Sequence, residues 1–343
     1  QFEFENSSFK VGSDDFVHDF VSGRDYSISM SMARDQDLKL EEPCLIWQPS
    51  HGSALHFAGA MKRLGKNFAS YAQPSSDSVE LFQELFPGVP QYQVLNQVSD
   101  QAQVEAENSQ SSQASEKQEF SAEAHAWVFF LEDRLSAEDL DLSLDEIIHC
   151  QDVSKDPDAQ QIFILPYFCS EDQIKKIRKA YPNHTIFLSP KSLGLSDDSL
   201  GASIFESDSG FKLTNPQLEN CPLVFSADLV ALIVSALGRQ SALGETFLIP
   251  SAFELGKLLD HAAENTGSKT FTATLGSFFK AKVQLDQYVP SNWELSHSEN
   301  APNALDRFPC QLMSVDKAWK KINTDFLKRD QNQGLHFSPK RVF

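Results

Sequence analysis

The sequence has little positive charge, since 29 Lys and Arg residues stand against 48 Asp and Glu residues in a chain of 343, a formal net charge of -19. Binding to nucleic acid or to an anionic membrane surface needs clustered basic side chains, so this balance argues against both. Apolar runs are short as well, and none approaches the roughly 18 residues of a membrane-spanning helix. We therefore expect no nucleic-acid partner and no membrane span.

Cysteine is scarce and scattered, with five residues and no Cys-x-x-Cys pair. An odd, dispersed set favours a reducing compartment over a disulfide framework and offers no zinc-ligand spacing. The first residues, Gln-Phe-Glu-Phe-Glu-Asn, lack the basic and apolar regions of a signal peptide, so we expect none in this sequence. These features predict a cytoplasmic protein without a metal site.

The sequence also lacks the common catalytic and cofactor signatures. It contains no Gly-x-Gly-x-x-Gly fingerprint, no Gly-x-Ser-x-Gly elbow and no His-Glu-x-x-His motif. The string Thr266-Gly267-Ser268-Lys269-Thr270 has neither the spacing of a phosphate loop nor a following helix. No cofactor is therefore predicted.

The apolar residues that are present form two similar units. Cys44 to Gly65 is typical of a buried strand, a tight polar turn and a helix ended by glycine, and Cys221 to Gly238 repeats this pattern. In both units Ser-Ala opens the helix and Leu-Gly ends it, with the same spacing. Strands and helices also alternate from residue 44 to 98, which indicates a parallel sheet with helical crossovers.

These patterns predict an α/β fold of two Rossmann-like halves with mostly parallel sheets, plus a C-terminal β-hairpin and helix. Apolar residues alternate with polar ones from Phe271 to Leu275 and from Val283 to Leu285, which favours an antiparallel hairpin. Val315, Trp319, Ile322 and Phe326 form one face of the expected C-terminal helix.

The composition suggests four segments. We assign residues 1–98 to an N-terminal α/β half and residues 125–310 to a second α/β half that includes the hairpin. Residues 99–124 are rich in Gln, Ser and Glu and hold too little apolar surface to fold, which predicts an acidic flexible linker. Residues 311–343 are predicted to form the amphipathic helix and a tail.

The turn Ser50-His51-Gly52-Ser53 is the leading candidate site. Ligands of open α/β sheets collect beyond the carboxyl ends of strands, where a helix N-terminus offers free N–H groups to anions. Gly52 permits close backbone approach, and His51 can donate to a phosphate or act as a base. The alternative is an ordinary strand–helix turn in which Ser53 caps the helix.

Three further residues are candidates. Ser226 and Asp228 occupy the corresponding place in the second unit and would share a cleft with His51 if the two halves face each other. Alternatively, Ser226 caps its helix and Asp228 interacts favourably with the helix dipole. Lys191 follows a predicted strand and either holds a phosphate or is a surface lysine.

Both turns resemble GT-B glycosyltransferases of the heptosyltransferase type. Leu45-Ile46-Trp47-Gln48-Pro49-Ser50 is similar to the family's first strand and loop, and Val224-Phe225-Ser226-Ala227-Asp228, running to Gly238, is similar to its late donor-site helix. The resemblance implies a nucleotide-activated sugar bound between the halves, with His51 as base, Ser53 and Ser226 on phosphate, and Asp228 orienting the acceptor or ribose. The family's aspartate base is absent, because the loop reads His51-Gly52-Ser53-Ala54, and so are the Gly and His that flank its late helix.

Two functions follow from these observations. The missing catalytic acids and glycine fingerprints favour a non-catalytic interaction or regulatory protein on a degenerate Rossmann-like scaffold, with a protein partner. The alternative is a GT-B-like glycosyltransferase that binds a nucleotide-sugar.

Overall fold

The computed structural model describes most of the chain between residues 43 and 319. The described residues are 43–49, 52–72, 82, 85–93, 124–150, 158–193, 200, 204, 211–213, 215–266, 270–272, 283–290, 293–294, 301–308, 310–317 and 319. The predicted linker, except for Ala124, and the tail beyond residue 319 lie outside this part, so those two predictions stay predictions.

A seven-stranded parallel sheet organises the fold. Its strands are β1 (Cys44–Trp47), β2 (Phe68–Ala72), β3 (Gln91–Gln93), β4 (Ala126–Phe130), β5 (Gln160–Pro166), β6 (His184–Ser189) and β10 (Glu245–Leu248). They lie in the order β3-β2-β1-β4-β5-β6-β10, and every neighbouring pair is parallel. The order reverses between β1 and β4, which makes the carboxyl ends of these two strands the topological switch point.

Helices cover both faces of this sheet. They are α1 (Gly52–Arg63), α2 (Ala137–His149), α3 (Glu171–Ala180), α4 (Ser226–Ala236), α5 (Leu255–Thr266) and the single-turn α6 (Ala304–Arg307). Buried residues of α1 and α4 belong to one hydrophobic core, and those of α2 and α3 belong to a second core. Every residue of α4 is buried, because it packs between the sheet, α1 and the later part of the chain.

Local sequence signals were read correctly at several helix ends. Ser170 and Gln173, which have the spacing of a capping box, form one at the start of α3. Gly65 and Gly238, which follow α1 and α4, have φ values of 62° and 68°, in the left-handed region where a Cβ is unfavourable.

The predicted α/β class with a mostly parallel sheet is confirmed, but the strands of both predicted halves lie in one sheet. Cys44 of β1 pairs with Phe68 on one side and with Ala126 on the other. The similarity of the two strand–turn–helix units is local, whereas strand pairing joins residues far apart in the chain. The repeat therefore did not reveal that β1 and β4 are neighbours.

The predicted antiparallel hairpin is wrong. Strands β12 (Thr270–Thr272) and β13 (Val283–Gln284) lie on opposite sides of β8 (Phe211–Leu213), and both run parallel to it. An alternating pattern indicates an extended segment with one covered face but does not identify its partner. Of the predicted C-terminal helix, residues 315–317 and 319 are helical, and the rest lies outside the described residues.

A second small sheet leads the chain past the end of β6. It contains β7 (Lys191–Leu193), β9 (Pro222–Phe225) and β11 (Phe253–Glu254), with β9 in the middle. Only Pro190 separates β6 from β7, so the chain passes directly from the main sheet into the small one. This step places Lys191 beyond the carboxyl end of the main sheet.

Gln160 fixes the C-terminal end of α4 to the sheet. Its buried amide accepts from the Gly238 N–H at 2.6 Å and donates to the Ala236 carbonyl at 3.2 Å and to the Thr185 hydroxyl at 2.9 Å. Gln160→Leu leaves the buried Gly238 N–H without its acceptor and removes one hydrogen bond each from the Ala236 carbonyl and the Thr185 hydroxyl, so we expect the free energy of unfolding to fall by about 2 to 4 kcal/mol. Urea unfolding followed by circular dichroism measures it. Gln217→Leu, at an exposed position, is the control, and an equal loss in both variants would refute this role.

Candidate functional site

A cleft lies beyond the carboxyl ends of β4, β5 and β6, and the space of about 240 Å³ assigned to it includes open solvent at its mouth. Each strand end contributes to it: Glu132 follows β4, Tyr167 follows β5 and Lys191 follows β6. Cys221 and Trp293 line it from the later part of the chain. This is the edge of an open parallel sheet at which ligands collect, next to the switch point between β1 and β4.

Glu132 is the most unusual group in the cleft. Its side chain is 1% exposed, and neither carboxyl oxygen makes a well-formed hydrogen bond to the described residues. Burial raises the pKa of Glu132 from its ordinary value of 4.5 to about 8, and the neighbouring charge of Asp133 adds to the rise. The Ser53 hydroxyl and the Lys191 charge act in the opposite direction. Glu132 is therefore mostly protonated at neutral pH.

Asp133 and Lys191 form an ion pair beside Glu132. The Lys191 Nζ lies 2.5 Å from an Asp133 carboxylate oxygen, and the Ser192 hydroxyl donates to the same oxygen at 3.3 Å. The Lys191 side chain is 9% exposed, so it is not the surface lysine that the sequence allowed. Its charge is compensated by Asp133.

The two strand–turn–helix units are in contact through the serines at the start of their helices. The Ser53 hydroxyl donates to the Ser226 hydroxyl at 3.3 Å, and both residues are fully buried. Neither serine is a helix cap, because α1 begins at Gly52 and the cap of α4 is Phe225, which makes no side-chain hydrogen bond. The N-termini of α1 and α4 therefore lie side by side, and Ser53 connects them to Glu132.

The remaining predicted site residues have different positions. The Asp228 carboxylate is buried and accepts from the Met313 N–H at 2.7 Å, so this contact holds residues 310–317 against α4. Gly52 is buried in the first turn of α1. Ser50 and His51 lie outside the described residues, so the proposed role of His51 as a base stays a prediction.

Other reactive groups near the cleft are held in unreactive forms. Burial raises the pKa of the Cys221 thiol to about 12, so it is protonated at neutral pH and is a poor nucleophile. Burial also raises the pKa of the Tyr167 phenol, whose hydroxyl donates to the Ile249 carbonyl. In the part of the chain that the structure describes, no cluster of His, Cys, Asp and Glu could hold a metal ion, and no helix is long and apolar enough to span a membrane.

Glu132 and Asp133 were missed in the sequence. Both follow directly after the apolar run Ala126–Leu131, and acidic residues at the end of a central parallel strand point to the ligand-binding edge of a sheet. What the sequence does not show is that Glu132 turns inward, since an acidic residue after a strand is usually exposed.

No family model and no curated protein matches the chain. Solved structures do match. A dTDP-glucose 4,6-dehydratase from Bacillus anthracis in complex with NAD has a TM-score of 0.55 at 9% identity, covering 84% of this chain and 98% of its own. The NAD-dependent NDP-hexosamine 5,6-dehydratase TunA has a TM-score of 0.54 at 10% identity, covering 84% and 99%. Yeast methylglyoxal/isovaleraldehyde reductase with NADPH has a TM-score of 0.50 at 10% identity, covering 84% and 100%. At these identities the similarity shows a shared fold.

These similarities correct three predictions. The solved structures named above are two dehydratases and a reductase that bind or depend on NAD or NADPH, so the predicted resemblance to GT-B glycosyltransferases is wrong. The predicted non-catalytic interaction protein with a protein partner and the alternative glycosyltransferase with a nucleotide-sugar donor are wrong for the same reason, because these three neighbours are enzymes of a different kind. The error came from short strand–loop–helix segments, which occur throughout α/β folds.

The residues of this chain do not fit the dinucleotide of those neighbours. A dinucleotide site needs glycines in the first strand–helix turn and an acidic residue about 20 positions further on. Here Gln48 has the positive φ of 39° that usually favours glycine, and its amide donates to Glu146 at 2.8 Å. Residues 66–76 contain no acidic side chain for a ribose. The turn therefore lacks the residues that hold a nicotinamide dinucleotide in such a site.

Proposed function

We propose that this protein is an enzyme in which Glu132 delivers a proton to an oxygen atom of a small molecule bound in the cleft. One observation carries the proposal: a buried carboxyl without a well-formed hydrogen bond lines the cleft, and its pKa of about 8 keeps it protonated at neutral pH. A carboxyl with such a pKa is a general acid matched to neutral pH.

The surroundings of Glu132 favour both directions of proton transfer. Burial and Asp133 stabilise the protonated form before the transfer, whereas Lys191 and Ser53 stabilise the carboxylate that remains afterwards. Ser226 holds Ser53 in place through the contact between the two hydroxyls. Under this proposal Lys191, Ser53 and Ser226 are positioning residues, and Glu132 is the catalytic residue.

The reactions named for the structural neighbours need the same step. Reduction of a carbonyl adds a proton to its oxygen, and dehydration protonates a leaving hydroxyl. A cytoplasmic location is part of the proposal, because all five cysteines are free thiols, as in proteins of reducing compartments.

Exchange of the α-hydrogens of cyclohexanone in D₂O, followed by proton NMR, tests the proposal. Protonation of the ketone oxygen by Glu132 promotes loss of an α-proton to water and gives the enol. When the enol converts back to the ketone, its α-carbon takes a deuteron from D₂O and its oxygen returns the proton to the Glu132 carboxylate. We expect the wild-type protein to accelerate this exchange at least about tenfold over buffer. The acceleration should decline above pH 8, where Glu132 ionises.

Glu132→Gln is the decisive variant, because an amide has no acidic proton to deliver. We expect its exchange rate to fall to that of buffer, whereas Glu138→Gln, at an exposed position on α2, should behave as wild type. Equal rates for wild type and Glu132→Gln, or a wild-type rate no faster than buffer, would overturn the proposal.

A further inference from the structure

We infer that the ligand of this cleft is an uncharged, largely apolar molecule with a single acceptor oxygen that lies against Glu132. This inference rests on the proposed function for its site, but it concerns the class of ligand and not the reaction. It departs from the phosphorylated ligands of nucleotide-binding enzymes that share the fold.

The charges around the cleft argue against an anionic ligand. Among the described residues that line the cleft, Lys191 is the one cationic side chain, and its Nζ is already 2.5 Å from the Asp133 carboxylate. The Asp133 carboxylate also accepts a hydrogen bond from the Ser192 hydroxyl, which helps to hold it beside Lys191. A phosphate or carboxylate would have to compete with Asp133 for this lysine.

The lining residues also offer few backbone donors. Four of them are prolines, which have no backbone N–H: Pro166, Pro190, Pro222 and Pro290. Phosphate sites depend on several convergent N–H groups. The cleft instead presents proline rings and aromatic side chains such as Phe168 and Trp293, which suit an apolar surface.

Three side-chain donors of the described lining residues are already used. The Ser189 hydroxyl donates to the Pro190 carbonyl at 2.9 Å, the Tyr167 hydroxyl donates to the Ile249 carbonyl, and the Cys221 thiol points to the Pro222 carbonyl at 3.8 Å. Glu132 differs from these, because its buried carboxyl makes no well-formed hydrogen bond among the described residues. One acceptor atom on the ligand satisfies it.

The size of the cleft limits the ligand further. The volume of about 240 Å³ includes open solvent beyond the mouth of the cleft, so the enclosed space beside Glu132 is much smaller. Only the acceptor oxygen of a ligand enters it, and a molecule with one six-membered ring is a suitable probe because its ring can stay at the open mouth.

Three probes with the same ring separate the classes of ligand: cyclohexanone, cyclohexanecarboxylate and cyclohexylammonium. Their affinities for the full chain are measured by ligand-observed NMR at pH 6.5. We expect cyclohexanone to bind at least tenfold more tightly than either ion. Carboxylate or ammonium binding as tight as that of the ketone would overturn the inference.

Variants of Glu132 test the single hydrogen bond. Glu132→Gln keeps a donor, so its affinity for cyclohexanone should stay within about threefold of wild type, whereas Glu132→Leu should lose at least tenfold. At pH 9 the wild-type affinity should fall severalfold because the carboxylate cannot donate, and that of Glu132→Gln should not change. Unchanged binding by Glu132→Leu, with a native circular dichroism spectrum, would overturn the contact.

The other side chains that face Glu132 do not explain a change of cyclohexanone affinity between pH 6.5 and pH 9. They are Asp133 beside it, Lys191 after β6, Cys221 before β9 and Tyr167 after β5. Cys221 and Tyr167 stay protonated at pH 9, because burial raises the pKa of both. A wild-type protein that binds cyclohexanone selectively without accelerating its exchange would overturn the proposed function and leave the ligand class standing.

Discussion

Glu132→Gln should remove a large pH dependence from the stability of this protein. Below pH 4.5 the carboxyl is protonated in both the folded and the unfolded chain, so it contributes no pH dependence. Between pH 4.5 and about 8 the unfolded chain loses the proton and the folded chain keeps it, so the free energy of unfolding falls as pH rises. At about 1.4 kcal/mol for each unit of pKa difference, the full loss is about 4 to 5 kcal/mol.

Urea unfolding at pH 5 and pH 8.5 measures this loss. Because the chain has 48 Asp and Glu residues, the wild-type curve alone contains other titrations, and the difference between wild type and Glu132→Gln isolates Glu132. We expect the variant to gain stability relative to wild type by several kcal/mol between the two pH values. Glu138→Gln, at an exposed position, should show no such gain. Parallel pH curves for wild type and Glu132→Gln would show that Glu132 has an ordinary pKa in the folded protein.

The part of the fold that depends on neighbouring residues could be predicted from the sequence. Apolar runs gave the central strands, and Gly65 and Gly238 marked the ends of two helices because only glycine easily adopts their positive φ. The order of the strands depends on contacts such as Cys44 with Ala126, whose residues are far apart in the chain. No local pattern specifies such a pairing, so two halves were expected where one sheet exists.

At the candidate site, too, local sequence patterns were informative, whereas burial and long-range contacts could not be predicted. The repeated Ser-Ala at the start of two helices marked Ser53 and Ser226 as corresponding positions, and the structure brings the two side chains into contact. Glu132 was not predicted, because its unusual properties come from burial, and an acidic residue after a strand does not by itself indicate burial. Lys191 was a candidate in the sequence, but the sequence could not show that its charge is paired with the Asp133 carboxylate.

The second large effect that we expect is a very weak affinity for nicotinamide dinucleotides. In the first strand–helix turn of a dinucleotide site, glycines let the backbone approach the pyrophosphate, which then receives N–H groups of the helix. In this chain Gln48 stands at the start of that turn and is tied to Glu146. The Ser53 side chain is directed to Ser226 and Glu132. Two carboxyl groups therefore lie near the place where a pyrophosphate would have to bind.

We expect the dissociation constants of NADH and NADPH to exceed about 1 mM, at least a hundredfold weaker than a micromolar cofactor site. Titration of NADH fluorescence, with excitation of the protein's tryptophans, measures the affinity, and calorimetry with NAD checks the oxidised form. A dehydrogenase with a known NADH site in the same buffer is the control for detection. Micromolar binding by the wild-type chain would mean that the turn opens to admit a pyrophosphate, and a hydride step would then have to be added to the proton transfer by Glu132. Weak binding, together with ketone exchange that depends on Glu132, would mean that the fold keeps the acid chemistry of its sheet edge without the cofactor of its structural neighbours.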